Sequence, residues 1–117
     1  MVSIDFEEAV IKRMKNKGVP GVEYLVMDAT TMSFDSGSFD NAIDKGTLDA
    51  LCSYKSPETA SRVVAYFKEK VRVLSAKGGV YIGFSLLQDL VLDSLVSFFQ
   101  AGMGNTHLET NTFDFRI

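Results

Sequence analysis

The stretch MDATTMSFDSGSFDNAIDKGTLDAL, residues 27–51, decides how this chain is read. It holds the end of one apolar run, Val22–Met27, and all of a second, Phe39–Ile43; an aspartate follows each, Asp28 and Asp44. Short runs rich in branched and aromatic residues predict buried strands. Between them, Asp35-Ser36-Gly37 has the composition of a turn. In an open parallel sheet ligands bind outside the carboxyl ends of the strands. An acid at such an end is placed to accept hydrogen bonds from amino or hydroxyl groups. Two of them within this stretch predict a nucleotide-like ligand along one sheet edge.

On the amino side, Val2–Ile4 is a short β-type run ending at Asp5. A helix is expected directly after it, with Glu7 and Glu8 in the first turn, Val10, Ile11 and Met14 on one face, and basic residues late. Gly18 and Pro20 stop it. On the carboxyl side, a loop with a helical piece at Leu48–Leu51 leads to a helix with a clear start. Ser56 stands as N-cap, Pro57 at the first helical position and Glu58 in the first turn. The apolar stripe expected on this helix is Ala60, Val63, Val64, Phe67, Val71 and Leu74. Gly78-Gly79 ends it, Val80–Phe84 is a strand, a helix runs from Leu86 or Leu87 to Gln100, and His107–Ile117 alternates as a last strand. Strands alternating with helices imply an α/β fold, a mostly parallel sheet covered on both faces. The 117 residues are expected to form a single domain.

Composition narrows the function. Hydrophobic residues make up 46% of the chain, enough for a globular core. No apolar run approaches the ~18 residues of a membrane span, and the start lacks the pattern of a signal peptide. The net charge of −3 argues against a general nucleic-acid binder. The basic residues at Lys12–Lys17 and Lys68–Lys77 sit at predicted helix ends, where the helix dipole favours cations. One cysteine, Cys52, excludes an internal disulfide framework and points to a reducing, cytoplasmic setting. No metal site is expected.

Each residue that could carry chemistry also has an ordinary role. Asp5 either contacts a ligand's ribose hydroxyls or caps the following helix. Asp28 either accepts from an adenine amino group, with the Ala29 amide donating beside it, or forms a turn before Thr30. Asp44-Lys45-Gly46-Thr47 brings an acid, a base, a flexible glycine and a hydroxyl to the mouth of a buried strand. It reads equally as a solvated pair, Asp44–Lys45, followed by a helix entry at Gly46-Thr47. Cys52 and His107 are singletons with structural roles, and Gly102-Met-Gly104 follows a helix, where a dinucleotide fingerprint follows a strand. Phe34 and Phe39 read as core anchors around the turn.

Taken together, these pieces resemble a class I S-adenosylmethionine-dependent methyltransferase, in particular the methyltransferase-like protein 13 family and the related elongation factor 1-alpha lysine methyltransferases. FDNAIDKGTLDAL, residues 39–51, is close to that family's hallmark around its fourth strand. VSIDFEEAVIKRMK resembles its second strand and following helix, and GGVYIGFSLLQ its fifth strand and turn. The resemblance implies that S-adenosylmethionine is the cofactor. It makes Asp5 the ribose contact with Phe6 beside the adenine, and Asp28 and Ala29 the adenine contacts. Asp44 would stand near the methionine part and the transferred methyl, with Lys45, Gly46 and Thr47 shaping that mouth; Asp44 and Lys45 are the expected catalytic residues. The implied acceptor is a protein amino group, typically on elongation factor 1-alpha.

On this resemblance the chain starts at the family's second strand. The first strand with its glycine-rich loop, and the last strand, are expected to be missing. The family orders its strands third, second, first, fourth, fifth, seventh, sixth, so the missing first strand would leave backbone groups unpaired at the sheet's centre. The expected consequence is a sheet rearranged so that the second and fourth strands become neighbours, or one completed by homo-oligomerisation through unpaired edges. The rival readings are an inactive, truncated remnant serving as a binding or dimerisation module, and the half-domain of a dehydrogenase.

Overall fold

Two separate pairs of parallel strands carry the fold in the computed structural model, which describes residues 1–53 and 56–100. The first pair is β1 (Val2–Asp5) with β2 (Glu23–Val26), joined through α1 (Glu8–Asn16). The second is β3 (Asn41–Lys45) with β4 (Val80–Phe84), joined through α2 (Thr47–Leu51) and α3 (Pro57–Val73). A last helix, α4 (Asp89–Gln100), follows β4. The predicted strand at 107–117, with His107, and the glycines of 102–104 lie outside the described residues.

The α/β alternation and the parallel pairing agree with the sequence, but the sheet is neither single nor rearranged. Among the described residues β1 pairs only with β2 and β3 only with β4, so the expected pairing of the family's second strand with its fourth does not occur. Two strands are too few to be stable by themselves; each pair depends on its helices. In the first unit Ile11 and Tyr24 are buried where α1 lies on β2. In the second, Leu48, Cys52, Val63, Tyr66, Phe67, Val91, Leu95 and Phe98 form the main core, drawn from α2, α3 and α4. Removing a buried side chain such as Phe67 from water is worth roughly 1.5–3 kcal/mol. The opposite face of the second pair stays uncovered: Ile43 is 68% exposed and Phe84 61%, with Val80 and Ile82 also exposed beside them.

The segment between β2 and β3 is tied to α3 by a polar clamp. Glu69 accepts from the Met32 N–H at 2.6 Å and pairs with Arg72 through two contacts of 2.7 and 2.9 Å. Arg72 in turn donates to the carbonyls of Phe34 and Met32. The Phe34 and Phe39 rings meet edge-on at 4.9 Å around the turn; both are half-buried and lie outside the main core, so they brace the turn and are not core anchors. Ala29 packs against the main core, so the exit of β2 and the helices of the second unit share one side of the molecule.

Several expectations need correction. β3 starts at Asn41 and runs through Asp44 to Lys45; Phe39 makes only an isolated bridge to Leu74. On α3 the predicted stripe is rotated. Val64 and Val71 are exposed, as is Ala60, and Tyr66, which the stripe omitted, is fully buried at 0%. Periodicity offers several apolar faces on a helix this rich in valine, and the partner across the interface selects among them. Here that partner is Asp44.

Candidate functional site

The acids at the first strand pair are held by their own loops. Asp5 ends β1 and accepts the Glu7 N–H on Oδ1 at 2.8 Å, and the Met27 N–H reaches the Asp5 carbonyl at 2.9 Å, extending the ladder beyond β2. Oδ2 of Asp5 has no partner among the described residues, and the neighbouring Phe6 ring is 70% exposed. Asp28 accepts from both the N–H and the hydroxyl of Thr30, at 2.8 and 2.7 Å. Its other oxygen lies 3.5 Å from Arg62 of α3. The Thr30 N–H first, then the Thr30 hydroxyl, hold this carboxyl below its ordinary value; partial burial opposes them and Arg62 assists. The Ala29 N–H makes no hydrogen bond among the described residues. Asp5 and Asp28 therefore stand side by side at the carboxyl end of one parallel pair, as the sequence placed them.

Asp44 is held differently. It is 5% exposed, and its side chain lies on the face of β3 that meets the helices. Oδ1 accepts the Thr47 N–H at 2.9 Å. Oδ2 accepts the Leu48 N–H at 3.2 Å and the hydroxyls of Tyr66 and Tyr81 at 2.6 and 3.3 Å. The two hydroxyls also meet each other at 2.9 Å. Burial alone would raise this carboxyl, but the bonds from Tyr66, Thr47 and Leu48 together outweigh it and hold it below the ordinary aspartate value. The same burial, with Asp44 nearby, raises both tyrosines far above theirs. Lys70 sits with its Nζ 4.9 Å from the centre of the Tyr66 ring, and burial lowers its pKa against the pull of Asp44 and Glu69.

Gly46 makes this arrangement feasible. Its φ of +84° lies in the left-handed region that other residues avoid, and it turns the chain so that the first N–H groups of α2 point back at Asp44. The Gly46 N–H bonds the Phe84 carbonyl at 3.2 Å. Lys45 and Thr47, on either side, are exposed. The structure thus brings Asp44, Gly46 and Thr47 together at one turn, and Asp5, Phe6, Asp28 and Ala29 at another edge.

Three participants were not singled out in the sequence. Tyr66 and Tyr81 fill the Asp44 site, and Asp49 of α2 holds the turn after β4 by accepting from Ser85 Oγ at 2.5 Å and the Leu86 N–H at 3.3 Å. The available signal was a tyrosine within an apolar face, since a buried hydroxyl needs a partner. Cys52 is a core residue, and burial raises its thiol pKa. A shallow hollow of about 460 Å³ lies at the amino end of β2, lined by Lys15, Val19, Val22 and Tyr24 among others, away from the strand-end acids. Among the described residues no helix is long and apolar enough to cross a membrane.

With this geometry in view, comparison with known proteins is specific. The chain is 43% identical over 101 residues to an eEF1A lysine and N-terminal methyltransferase homolog of Drosophila melanogaster, covering 84% of this chain and 15% of that protein. It is 37% identical over 119 residues to the human eEF1A lysine and N-terminal methyltransferase, covering 97% of this chain and 17% of that protein. The chain thus spans about 15% of the length of such curated relatives. Among solved structures, a SAM-dependent methyltransferase from Methanosarcina mazei superposes with a TM-score of 0.52 at 27% identity, over 66% of this chain and 38% of that one. Residues 1–82 match the family described as methyltransferase domain, and the chain belongs to that family.

Proposed function

We propose that this chain forms the adenosine-binding side of an S-adenosylmethionine-dependent methyltransferase that modifies a protein amino group. One observation supports this above the others. Asp5 and Asp28 stand at the carboxyl ends of adjacent parallel strands, with an Asp5 oxygen and the Ala29 N–H that have no partner among the described residues, and the exposed Phe6 ring, beside them. These groups suit an adenosine: an acceptor for ribose hydroxyls, a donor and an acceptor for the base edge, and an aromatic surface for its face.

When bound, S-adenosylmethionine supplies a methyl group already activated on a sulfonium sulfur. The protein then has to provide proximity and alignment. Asp5 orients the ribose, Phe6 and Ala29 hold the base, and Asp28 faces its amino group. The turn at Gly46 and Thr47 borders the methionine end. An incoming amine must be neutral to attack; the exposed Lys45 favours that form by placing a like charge beside it. Asp44 acts from beneath the turn. By similarity to the relatives named above, the acceptor is elongation factor 1-alpha; the single cysteine suits a cytoplasmic setting.

Titration calorimetry of the 117-residue chain with S-adenosylmethionine tests this. Saturable binding that weakens about tenfold or more in Asp5→Ala is expected for a ribose contact. A chain that binds no cofactor would overturn the assignment.

The uncovered face of β3 and β4 favours a second reading, in which the chain is a binding or dimerisation module. Ile43, Val80, Ile82 and Phe84 are exposed on it, and contiguous apolar surface of this kind marks association sites. Light scattering distinguishes the readings: a monomer at high concentration defeats this one, and a dimer lost in Ile43→Glu supports it.

A further inference from the structure

We infer that Tyr66 and Tyr81 are positioning residues for the β3–α2 turn, acting through Asp44. The inference rests on the cofactor reading only in what the turn borders; the hydrogen-bond network is independent of it.

The geometry points this way on three counts. The Asp44 carboxylate is engaged by the scaffold: two N–H groups of the turn enter from α2, at Thr47 and Leu48, and two hydroxyls from α3 and β4. At 5% exposure it is shielded from an amine or a cofactor. The tyrosines lie 22 and 37 residues along the chain from Asp44, so they connect the turn to the two elements that flank it. And the turn has few other anchors: Gly46 in the left-handed region bonds through its N–H to Phe84 and through its carbonyl to the Ala50 N–H inside α2, and Lys45 and Thr47 are exposed.

The physical consequence concerns both the place and the rigidity of the turn. A buried carboxylate strengthens bonds to its donors because water does not compete for it. While both hydroxyls hold Oδ2 in place, the oxygens stay aimed at Thr47 and Leu48. Without them the carboxylate can rotate, and Gly46, which tolerates a wide range of backbone angles, offers little resistance.

Nuclear magnetic resonance of the 117-residue chain reads this directly, because an amide bonded to a carboxylate shifts when that carboxylate takes up a proton. The groups facing Asp44 are Tyr66 and Lys70 from α3, Tyr81 from β4, and the amides of Thr47 and Leu48, with Asp49 of α2 close to Tyr81. The Thr47 and Leu48 amides are expected to titrate together in acid. Their midpoint moves to higher pH in Tyr66→Phe, less far in Tyr81→Phe, and stays in place in Tyr24→Phe, a buried tyrosine remote from the network. Midpoints unchanged in both Tyr66→Phe and Tyr81→Phe, or amides that titrate independently, would overturn the inference. Tyr81→Phe keeps the test intact should Tyr66→Phe fail to fold. A second measurement separates the two proposals. S-adenosylmethionine affinity about five- to tenfold weaker in Tyr66→Phe ties the turn to the cofactor. Wild-type chain that binds no cofactor overturns the functional assignment, while the amide titration still decides the role of the tyrosines.

Discussion

The two strand pairs hold their acids by opposite means. In the β1–α1–β2 unit Asp5 and Asp28 bond to residues two positions further on, and both stay near solvent. In the β3–β4 unit Asp44 is buried and bonds across the fold to α3 and β4. Local bonds leave a carboxylate oxygen or a neighbouring amide available for a ligand. Long-range bonds consume the carboxylate and make it part of the scaffold. The contrast separates groups suited to touching a cofactor from groups suited to holding the site's shape.

The largest effect should come from Asp44. Asp44→Ala leaves two buried hydroxyls and two amides without their acceptor, which costs about 3–5 kcal/mol. This is a large part of the stability of a domain of this size. Urea unfolding followed by circular dichroism measures it, and a loss of less than about 1 kcal/mol would show that the scaffold does not depend on this carboxylate. Next comes the clamp that seats the connecting segment on α3. Glu69→Ala removes the acceptor of the Met32 N–H and the partner of Arg72, and should cost about 1–2 kcal/mol in the same experiment.

Acid sharpens the comparison further. Asp44 and Asp28 are held below the ordinary aspartate value of 3.8, and Glu69 below the glutamate value of 4.5. A carboxyl lowered in the folded state binds fewer protons there than in the unfolded chain. Its stabilisation is therefore complete above the unfolded value and is lost as pH falls through the folded one. Thermal melts should drop in temperature as the pH falls below about 4.5, and Asp44→Asn should flatten that dependence more than Asp28→Asn. Equal slopes in the two variants would dissolve the distinction between the buried acid and the exposed one. The smallest stability effect belongs to Asp5: Asp5→Ala should change unfolding free energy by no more than about 0.5 kcal/mol, since its bond to Glu7 is local and partly solvated. Its effect should appear instead in cofactor affinity.

How much was legible in the sequence follows the same division. The strand–helix order, the acids after the first two runs, the Ser56 cap and the Pro57 start all came from local patterns, and the Ser56 hydroxyl does accept the Thr59 N–H. The buried face of α3 did not. Val63 and Phe67 were in the expected stripe and are buried, whereas Val64 and Val71 are 41% and 37% exposed. A helix with valines on several sides meets the spacing rule more than once, and the rule is silent about which side must supply a hydroxyl. The Asp44 site shows the same limit. Its strand-end character and the flexible glycine two positions on could be read, but not the inward direction of the carboxylate.

By itself, then, the sequence determined an α/β chain with parallel pairing and acids at the carboxyl ends of its strands, because strand and helix periods, caps and turns are written in neighbouring residues. Only the tertiary structure decided what each acid does. Asp5 and Asp28 find their hydrogen-bond donors two residues away and stay near solvent, with Arg62 of α3 facing the other Asp28 oxygen. Asp44 finds its own 22 and 37 residues away, and whether such partners meet depends on how α3 and β4 pack over β3.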